Sequence, residues 1–193
     1  MITNFQNIVK NAEGGSMDYI EKTIKKNYIY HGKILSLRND EAQLFNGEPC
    51  KREIVEHSGG ACVLFVQENK VLFVRQYRYA YGESVLEIPA GKLNAGEEPK
   101  LAAERELREE TGVYGAKLTP ICTLYPSPGY TNEKIYIYLA TGGKTGAQSP
   151  DADEFLEVEW IELSRVREML KKGEFNDAKT IVALQYYFLE VAK

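Results

Sequence analysis

Apolar residues in this chain fall mostly into short runs separated by turn residues, with three longer stretches spaced as helices. Residues 28–30 and 34–38 are β-rich, and Asn46-Gly47 is a hairpin signal ahead of an alternating run at 51–57. Together they predict a small antiparallel sheet over residues 28–57. Residues 61–66 and 71–74 are almost continuously apolar on either side of Glu68-Asn69-Lys70, the pattern of a hairpin buried on both faces. Further strands are expected at 85–89, 118–124, 134–140 and 154–161, the last carrying the single tryptophan, Trp160. Pro99 and Gly112 bracket a helix built on Leu101, Ala102, Ala103 and Leu107. Ser164 is expected to cap a second helix that turns Val166, Met169 and Leu170 inward. Asp177 is expected to cap a third, with Ile181, Leu184, Tyr187 and Phe188 as its apolar stripe. Strands, helix, strands, helices in that order predict an α/β (α+β) architecture with a mixed sheet between helical layers.

Residues 1–16 are polar and end in Gly14-Gly15-Ser16, so they read as a flexible extension. The expected organisation is that extension at 1–16, an N-terminal β subdomain at 17–58, and the main domain at 59–193. A chain of 193 residues with 44% hydrophobic and 27% charged content suits one domain with an appendage. Its net charge of −4 offers no basic field for nucleic acid, and none is expected as a partner. No run approaches the ~18 apolar residues of a membrane span, so no membrane partner is expected. The start of the chain lacks an apolar signal core. The three cysteines, Cys50, Cys62 and Cys122, form no C-x-x-C pair and read as reduced, buried thiols of a cytoplasmic protein. The two histidines, His31 and His57, fit no zinc spacing and read as neutral surface residues, His57 at a strand end.

Residues 91–113 read GKLNAGEEPKLAAERELREETGV. On the predicted helix Glu106, Glu109 and Glu110 lie at i, i+3 and i+4 and share a face. Like charges at that spacing repel by a few tenths of a kcal/mol per pair, and a divalent cation reverses the sign. A solvated acidic face, with Arg105 and Arg108 pairing locally, would account for three glutamates alone. The full pattern is more specific. It matches G-x5-E-x7-R-E-U-x-E-E-x-G-U, with U a bulky aliphatic residue, at every defined position. On this motif the chain resembles the Nudix hydrolases, over roughly residues 60–192. The resemblance implies an α/β/α sandwich in which the motif forms a loop, a helix and a second loop. It also implies hydrolysis of a nucleoside diphosphate linked to another moiety.

Residues 74–80, 86–93 and 125–133 are similar to the ADP-ribose pyrophosphatase branch, including Pro128 fifteen residues beyond Val113. That resemblance implies cleavage to AMP and ribose 5-phosphate. It assigns metal binding to the Ala90 carbonyl, Glu106 and Glu110, with Glu109 close by and Glu97 supporting. The ions implied are magnesium, with manganese as an alternative, two or more per site. Arg105 becomes an orienting partner of the motif carboxylates. Arg78, Arg52 and Ser127 become substrate-binding residues, with Arg75 a further candidate; surface pairing at a strand end is the competing reading for both Arg75 and Arg78. Glu154 becomes the residue that orients or deprotonates the attacking water, or ligates metal, with Asp153 as the alternative. Adenine would stack on Tyr28 or Tyr30, and the N-terminal sheet would form a homodimer. Two further readings stay open: other nucleoside diphosphate derivatives (ADP-sugars, dinucleoside polyphosphates, oxidised nucleotides), and a regulator that binds ADP-ribose without hydrolysing it. Regulators of that kind usually lose motif carboxylates, and this chain keeps them all.

Overall fold

The computed structural model describes residues 19–150 and 154–192. The extension expected at 1–16 and the alternative base Asp153 lie outside the described residues.

The alternation of side chains along a strand organises the core. β5 (Gly60–Gln67) and β6 (Lys70–Arg78) form a hairpin closed by Glu68 and Asn69, both at positive φ. Ala61, Val63 and Phe65 point to one face of the sheet, and Cys62, Leu64 and Val66 to the other. The first face packs on Ala102, Ala103 and Leu107 of α1 (Pro99–Thr111). The second packs on Val166 of α2 (Leu163–Lys172) and on Ala183 and Leu184 of α3 (Ala178–Tyr186). The sheet is therefore covered on both sides, as the continuous apolar runs require.

This sheet has seven strands. Its main path runs β10 (Lys117–Leu124), β11 (Ile135–Thr141), β5, β6 and β13 (Leu156–Glu162). β7 (Glu83–Glu87) adds to β6, and β8 (Ala90–Lys92) adds to β5. β11 runs parallel to β5, and the other pairings are antiparallel, so the sheet is mixed. The α/β/α sandwich is the architecture expected from the sequence.

The N-terminal antiparallel sheet has four strands: β1 (Lys22–Lys25), β2 (Tyr28–His31), β3 (Leu35–Gln43) and β4 (Pro49–His57). It starts earlier than the apolar pattern indicates, because β1 is exposed throughout and carries a single apolar residue, Ile24. Asn46-Gly47 lies in the β3–β4 turn, with Gly47 at φ 92°. The end of β4 is stitched to the main body: Val55 donates to the Tyr130 carbonyl at 2.8 Å, and the His57 amide donates to Asn132 Oδ1 at 2.9 Å. β9 (Val113–Tyr114) pairs with β12 (Lys144–Thr145) just beyond α1.

Two expectations need correction. Ser164 does not cap α2, which begins one residue earlier with Glu162 at the cap position; the Leu163 amide instead donates to the Asn69 carbonyl at 2.9 Å. Asp177 does cap α3, accepting from the Thr180 amide at 2.9 Å. Of the three thiols only Cys62 is buried; Cys50 is partly exposed and Cys122 exposed.

Candidate active site

The site grows from the crossing of β8 and α1. Glu110 sits in the last turn of α1, only 2% exposed, and accepts a hydrogen bond from the Ala90 amide at 3.1 Å. Glu106, one turn earlier, lies directly over Gly91. A Cβ on Gly91 would stand 2.0 Å from the Glu106 carboxyl carbon. The glycine is thus demanded by close approach of a carboxylate, not by an unusual backbone.

Arg105 gathers the other acids. Its Nε and Nη2 donate to the two Glu97 oxygens at 2.9 Å each, and Nη1 donates to Glu106 at 2.6 Å and Glu109 at 2.9 Å. Nη2 also reaches the Lys92 carbonyl at 3.1 Å. The guanidinium, with help from the Asn94 amide, holds the Glu97 carboxyl down at about 2. The same partners, Glu97 first, raise Arg105 above its ordinary range. Arg105 thus pairs with three carboxylates of the motif.

Glu110 lies at the opposite extreme. Burial first, and the Glu106 charge second, push its carboxyl up to about 8. Burial also raises Glu106, against the pull of Arg105. Among the described residues no three ligating groups converge on one point, because Arg105 draws Glu97, Glu106 and Glu109 to itself. The residues nonetheless fit a hard divalent cation. The donors are all oxygens, Glu106 and Glu110 are acids that burial raises above the usual carboxylate range, and Gly91 leaves the Glu106 carboxylate room.

A cavity of about 620 Å³ opens on this cluster, lined by Ala90, Arg105, Glu106, Glu109, Glu154 and Arg78 among others. Glu154 is close enough to act electrostatically on both Glu106 and Glu110. A second cavity, also about 620 Å³, contains Ser127 and shares His57, Arg78, Glu133 and Lys179 with the first. Arg78 therefore stands at the junction. Its Nε and Nη2 donate to Glu87 at 2.7 and 2.8 Å, and Glu87 is 2% exposed. Lys179 donates to Glu87 Oε2, the oxygen that Arg78 Nη2 also uses, and reaches Asp177 at 3.0 Å. Burial works against the Lys179 charge, but Asp177 and Glu87 keep it above the usual lysine range.

The sequence reading missed Glu87 and Lys179. They lie 92 residues apart, and the one local hint was the Asp177 cap, which puts Lys179 in the first turn of α3. The sequence pattern also gives no sign that His57 is other than a surface residue. The ring is half-buried between the cavities, with Nδ1 accepting from the Gly59 amide at 3.0 Å and 3.5 Å from Glu133.

The remaining assignments lie elsewhere in the described chain. Arg52 hydrogen-bonds Glu21 through Nε at 2.8 Å and lines neither cavity of its own chain. Arg75 pairs with Glu159 across β6 and β13 at 2.5 Å, the surface reading. Tyr28 stacks on His31 at 4.6 Å; neither Tyr28 nor Tyr30 lines the two cavities.

Comparison with known proteins agrees with this geometry. The NUDIX domain family matches residues 56–184. The chain is 42% identical to an ADP-ribose pyrophosphatase of Bacillus subtilis (strain 168), covering 89% of this chain and 95% of that one. It is 40% identical to a methanol dehydrogenase activator of Bacillus methanolicus, with the same coverage. A crystal structure of an ADP compounds hydrolase shares the fold, with a TM-score of 0.75 at 21% identity over 86% of this chain and 90% of that chain. With Glu106 and Glu109 of the motif lining one cavity and the domain match spanning most of the sequence, the chain belongs to the Nudix hydrolase family.

Proposed function

We propose that this protein hydrolyses the diphosphate bond of ADP-ribose to AMP and ribose 5-phosphate with the help of magnesium, manganese being able to substitute. The observation that carries this reading is the pair of cations, half-buried Arg78 and buried Lys179, that line both cavities beside the acidic cluster. A diphosphate flanked by two ribose groups is long enough to occupy both cavities, with its phosphates between the acids and the cations. The 42% identity to an ADP-ribose pyrophosphatase supports the same substrate.

Glu106, Glu110 and the Ala90 carbonyl would hold the metal, with Glu109 beside them; two or more ions fit that number of oxygens. Bound there, divalent ions polarise the diphosphate and acidify a water. Arg105 keeps the acids in register, and Glu97 anchors Arg105. Arg78 and Lys179 bind phosphate oxygens, presented by the Glu87 carboxylate between them. Glu154 orients the attacking water and accepts its proton. Water oxygen joins one phosphorus, the bridging oxygen leaves with the other, and two monoesters result.

The subdomain boundaries 17–58 and 59–193 serve an oligomeric role in this reading. Ile20, Ile24, Tyr28, Ile29, Tyr30 and Ile34 of the N-terminal region are 46–65% exposed, more apolar surface than a small sheet carries comfortably in water. A homodimer formed through this sheet would cover it and bring Arg52 toward the partner's site. Unpaired cysteines suit the reducing cytoplasm. No described helix is long and apolar enough to cross a membrane.

The deciding experiment is kcat/KM on a panel of ADP-ribose, ADP-sugars, dinucleoside polyphosphates and oxidised nucleotides. ADP-ribose is expected to lead. A higher value for another class would transfer the assignment to that class, and binding of ADP-ribose without turnover would favour the regulator.

A further inference from the structure

The wall shared by the two cavities holds a polar ring that neither the acidic cluster nor the cation pair uses. His57 lines both cavities, beside Arg78, Lys179 and Glu133. Arg78 and Lys179 already share Glu87 as a partner. The His57 ring is fixed from one side. Its Nδ1 lies 3.0 Å from the Gly59 amide, and a backbone amide only donates, so Nδ1 must offer its lone pair. That contact assigns the proton of the neutral imidazole to Nε2. Among the described residues the bond to Gly59 is the only hydrogen bond the ring makes, so Nε2–H keeps its donor for a ligand.

The backbone that fixes the ring is itself held. Gly59 sits at φ 85°, and a Cβ there would stand 2.7 Å from the Lys134 carbonyl oxygen. The Gly59 carbonyl accepts from the Leu93 amide at 3.1 Å, and the Gly60 amide donates to the Lys134 carbonyl at 2.9 Å. The His57 amide donates to Asn132 Oδ1 at 2.9 Å. The turn between β4 and β5 is thus tied to the residue after β8 and to the residue before β11. A ring anchored to such a turn needs little ordering when a ligand arrives.

Glu133 limits what this donor can meet. Its Oε1 stands 3.5 Å from Nδ1, and in the neutral tautomer no proton lies between them. A carboxylate so close to the ring repels a phosphate oxygen. A hydroxyl is suited to both neighbours, because its oxygen accepts from Nε2–H while a hydroxyl proton can go to the carboxylate. Adjacent hydroxyls on a ribose supply that combination.

We propose that His57 is a binding residue for a ribose hydroxyl of the substrate, donating through Nε2. The inference rests on the ADP-ribose reading above, in which a ribose flanks the diphosphate on each side. The two riboses carry the same pair of hydroxyls, and the test tells them apart.

The test uses the full chain, unaltered and as His57→Asn and His57→Gln. Asparagine can keep an acceptor for the Gly59 amide and loses the reach of Nε2; glutamine keeps a donor near the place of Nε2. Loss of one neutral hydrogen bond corresponds to about tenfold in affinity, so His57→Asn should raise KM for ADP-ribose about tenfold with kcat within about threefold. His57→Gln should bring KM back to within about threefold of the unaltered protein. Nitrogen NMR of the imidazoles, with magnesium present, reads the contact directly. His31 and His57 are the only histidines of the chain, so the signals missing from His57→Asn are those of His57. The free protein should show the Nε2-protonated tautomer. Comparing AMP with 2′,3′-dideoxy-AMP reports on the adenosine ribose, and comparing ribose 5-phosphate with inorganic phosphate reports on the other. The His57 Nε2 signal should move with the hydroxyl-bearing member of at least one pair and stay in place with its counterpart. Equal responses within both pairs, no response to any of the four, or an Nδ1-protonated ring would overturn the inference. So would an unchanged KM in folded His57→Asn. If the unaltered protein turns over another nucleoside diphosphate in place of ADP-ribose, the substrate assignment fails, and the imidazole signals still decide the hydroxyl contact.

Discussion

A methyl group added at Gly91 probes the closest contact in the site. Its Cβ would lie 2.0 Å from Glu106 Cδ and Oε1 and 2.3 Å from Oε2. Non-bonded carbon atoms rest about 3.5–4.0 Å apart, so the carboxylate must withdraw by about 1.5 Å. The strand itself has no reason to move, because Gly91 is not among the residues at positive φ and the obstacle is the tip of a flexible side chain. Misplacing a reacting group by about 1 Å costs about a hundredfold, equivalent to ~2.7 kcal/mol of activation free energy. Gly91→Ala should therefore lose at least about a hundredfold in kcat at saturating magnesium. Its melting temperature should fall by no more than about 4 °C, the shift expected for ~1 kcal/mol in a chain of this size. A phosphatase-coupled phosphate assay on ADP-ribose gives the first quantity, since both predicted products are monoesters, and circular dichroism gives the second. A cooperative melt with kcat within about threefold of wild type would refute the claim that Glu106 must sit against β8.

Arg78→Ala should raise KM for ADP-ribose more than it lowers kcat, because Lys179 still neutralises Glu87 and the fold persists; an unchanged KM in folded protein would reduce Arg78 to a structural ion pair. Glu110 gives the metal-free protein a pH dependence of definite sign. Its folded carboxyl is pushed up to about 8 from an ordinary 4.5, so between those values the folded state holds a proton the unfolded state has released. Melting temperature should fall as pH rises from about 5 through 8, and magnesium should flatten the slope by stabilising the charged form; a metal-free protein whose stability rises over this window would contradict the burial of Glu110. Light scattering should show a dimer for the full chain, unchanged on deleting residues 1–16. Deleting residues 1–57 should abolish both dimer and activity, since it also removes Val55 and His57 from the second cavity; a fully active monomer would refute this.

Much of the fold was readable because its signals are local. The β5–β6 hairpin announces itself by apolar runs around a two-residue turn, and α1 by Pro99, Gly112 and a dense motif. The carboxylates of that motif lie within one helix and the loop before it, so their meeting follows from helical spacing. What the sequence hides depends on partners far along the chain. Glu87 meets Lys179 only when α3 packs beside β7, and the cap of α3 reaches back through Thr180 Oγ1, which accepts from the Ile88 amide at 3.0 Å. Ser164 illustrates the limit at element boundaries: a good cap residue was available, but the helix starts at Leu163 because that amide already has the Asn69 carbonyl. Arg52 finds Glu21, a partner on a region whose apolar pattern gave no strand signal.

The most direct test of metal-dependent ADP-ribose hydrolysis at this site is a phosphorus NMR time course of ADP-ribose with wild-type protein, with and without magnesium, beside Glu110→Gln. The two diphosphate resonances should give way to the monoester signals of AMP and ribose 5-phosphate in equal amounts. Without magnesium there should be no conversion, and Glu110→Gln should slow it by about a hundredfold or more while remaining folded. Persistence of the diphosphate with magnesium present, or wild-type conversion by Glu110→Gln, would contradict the account.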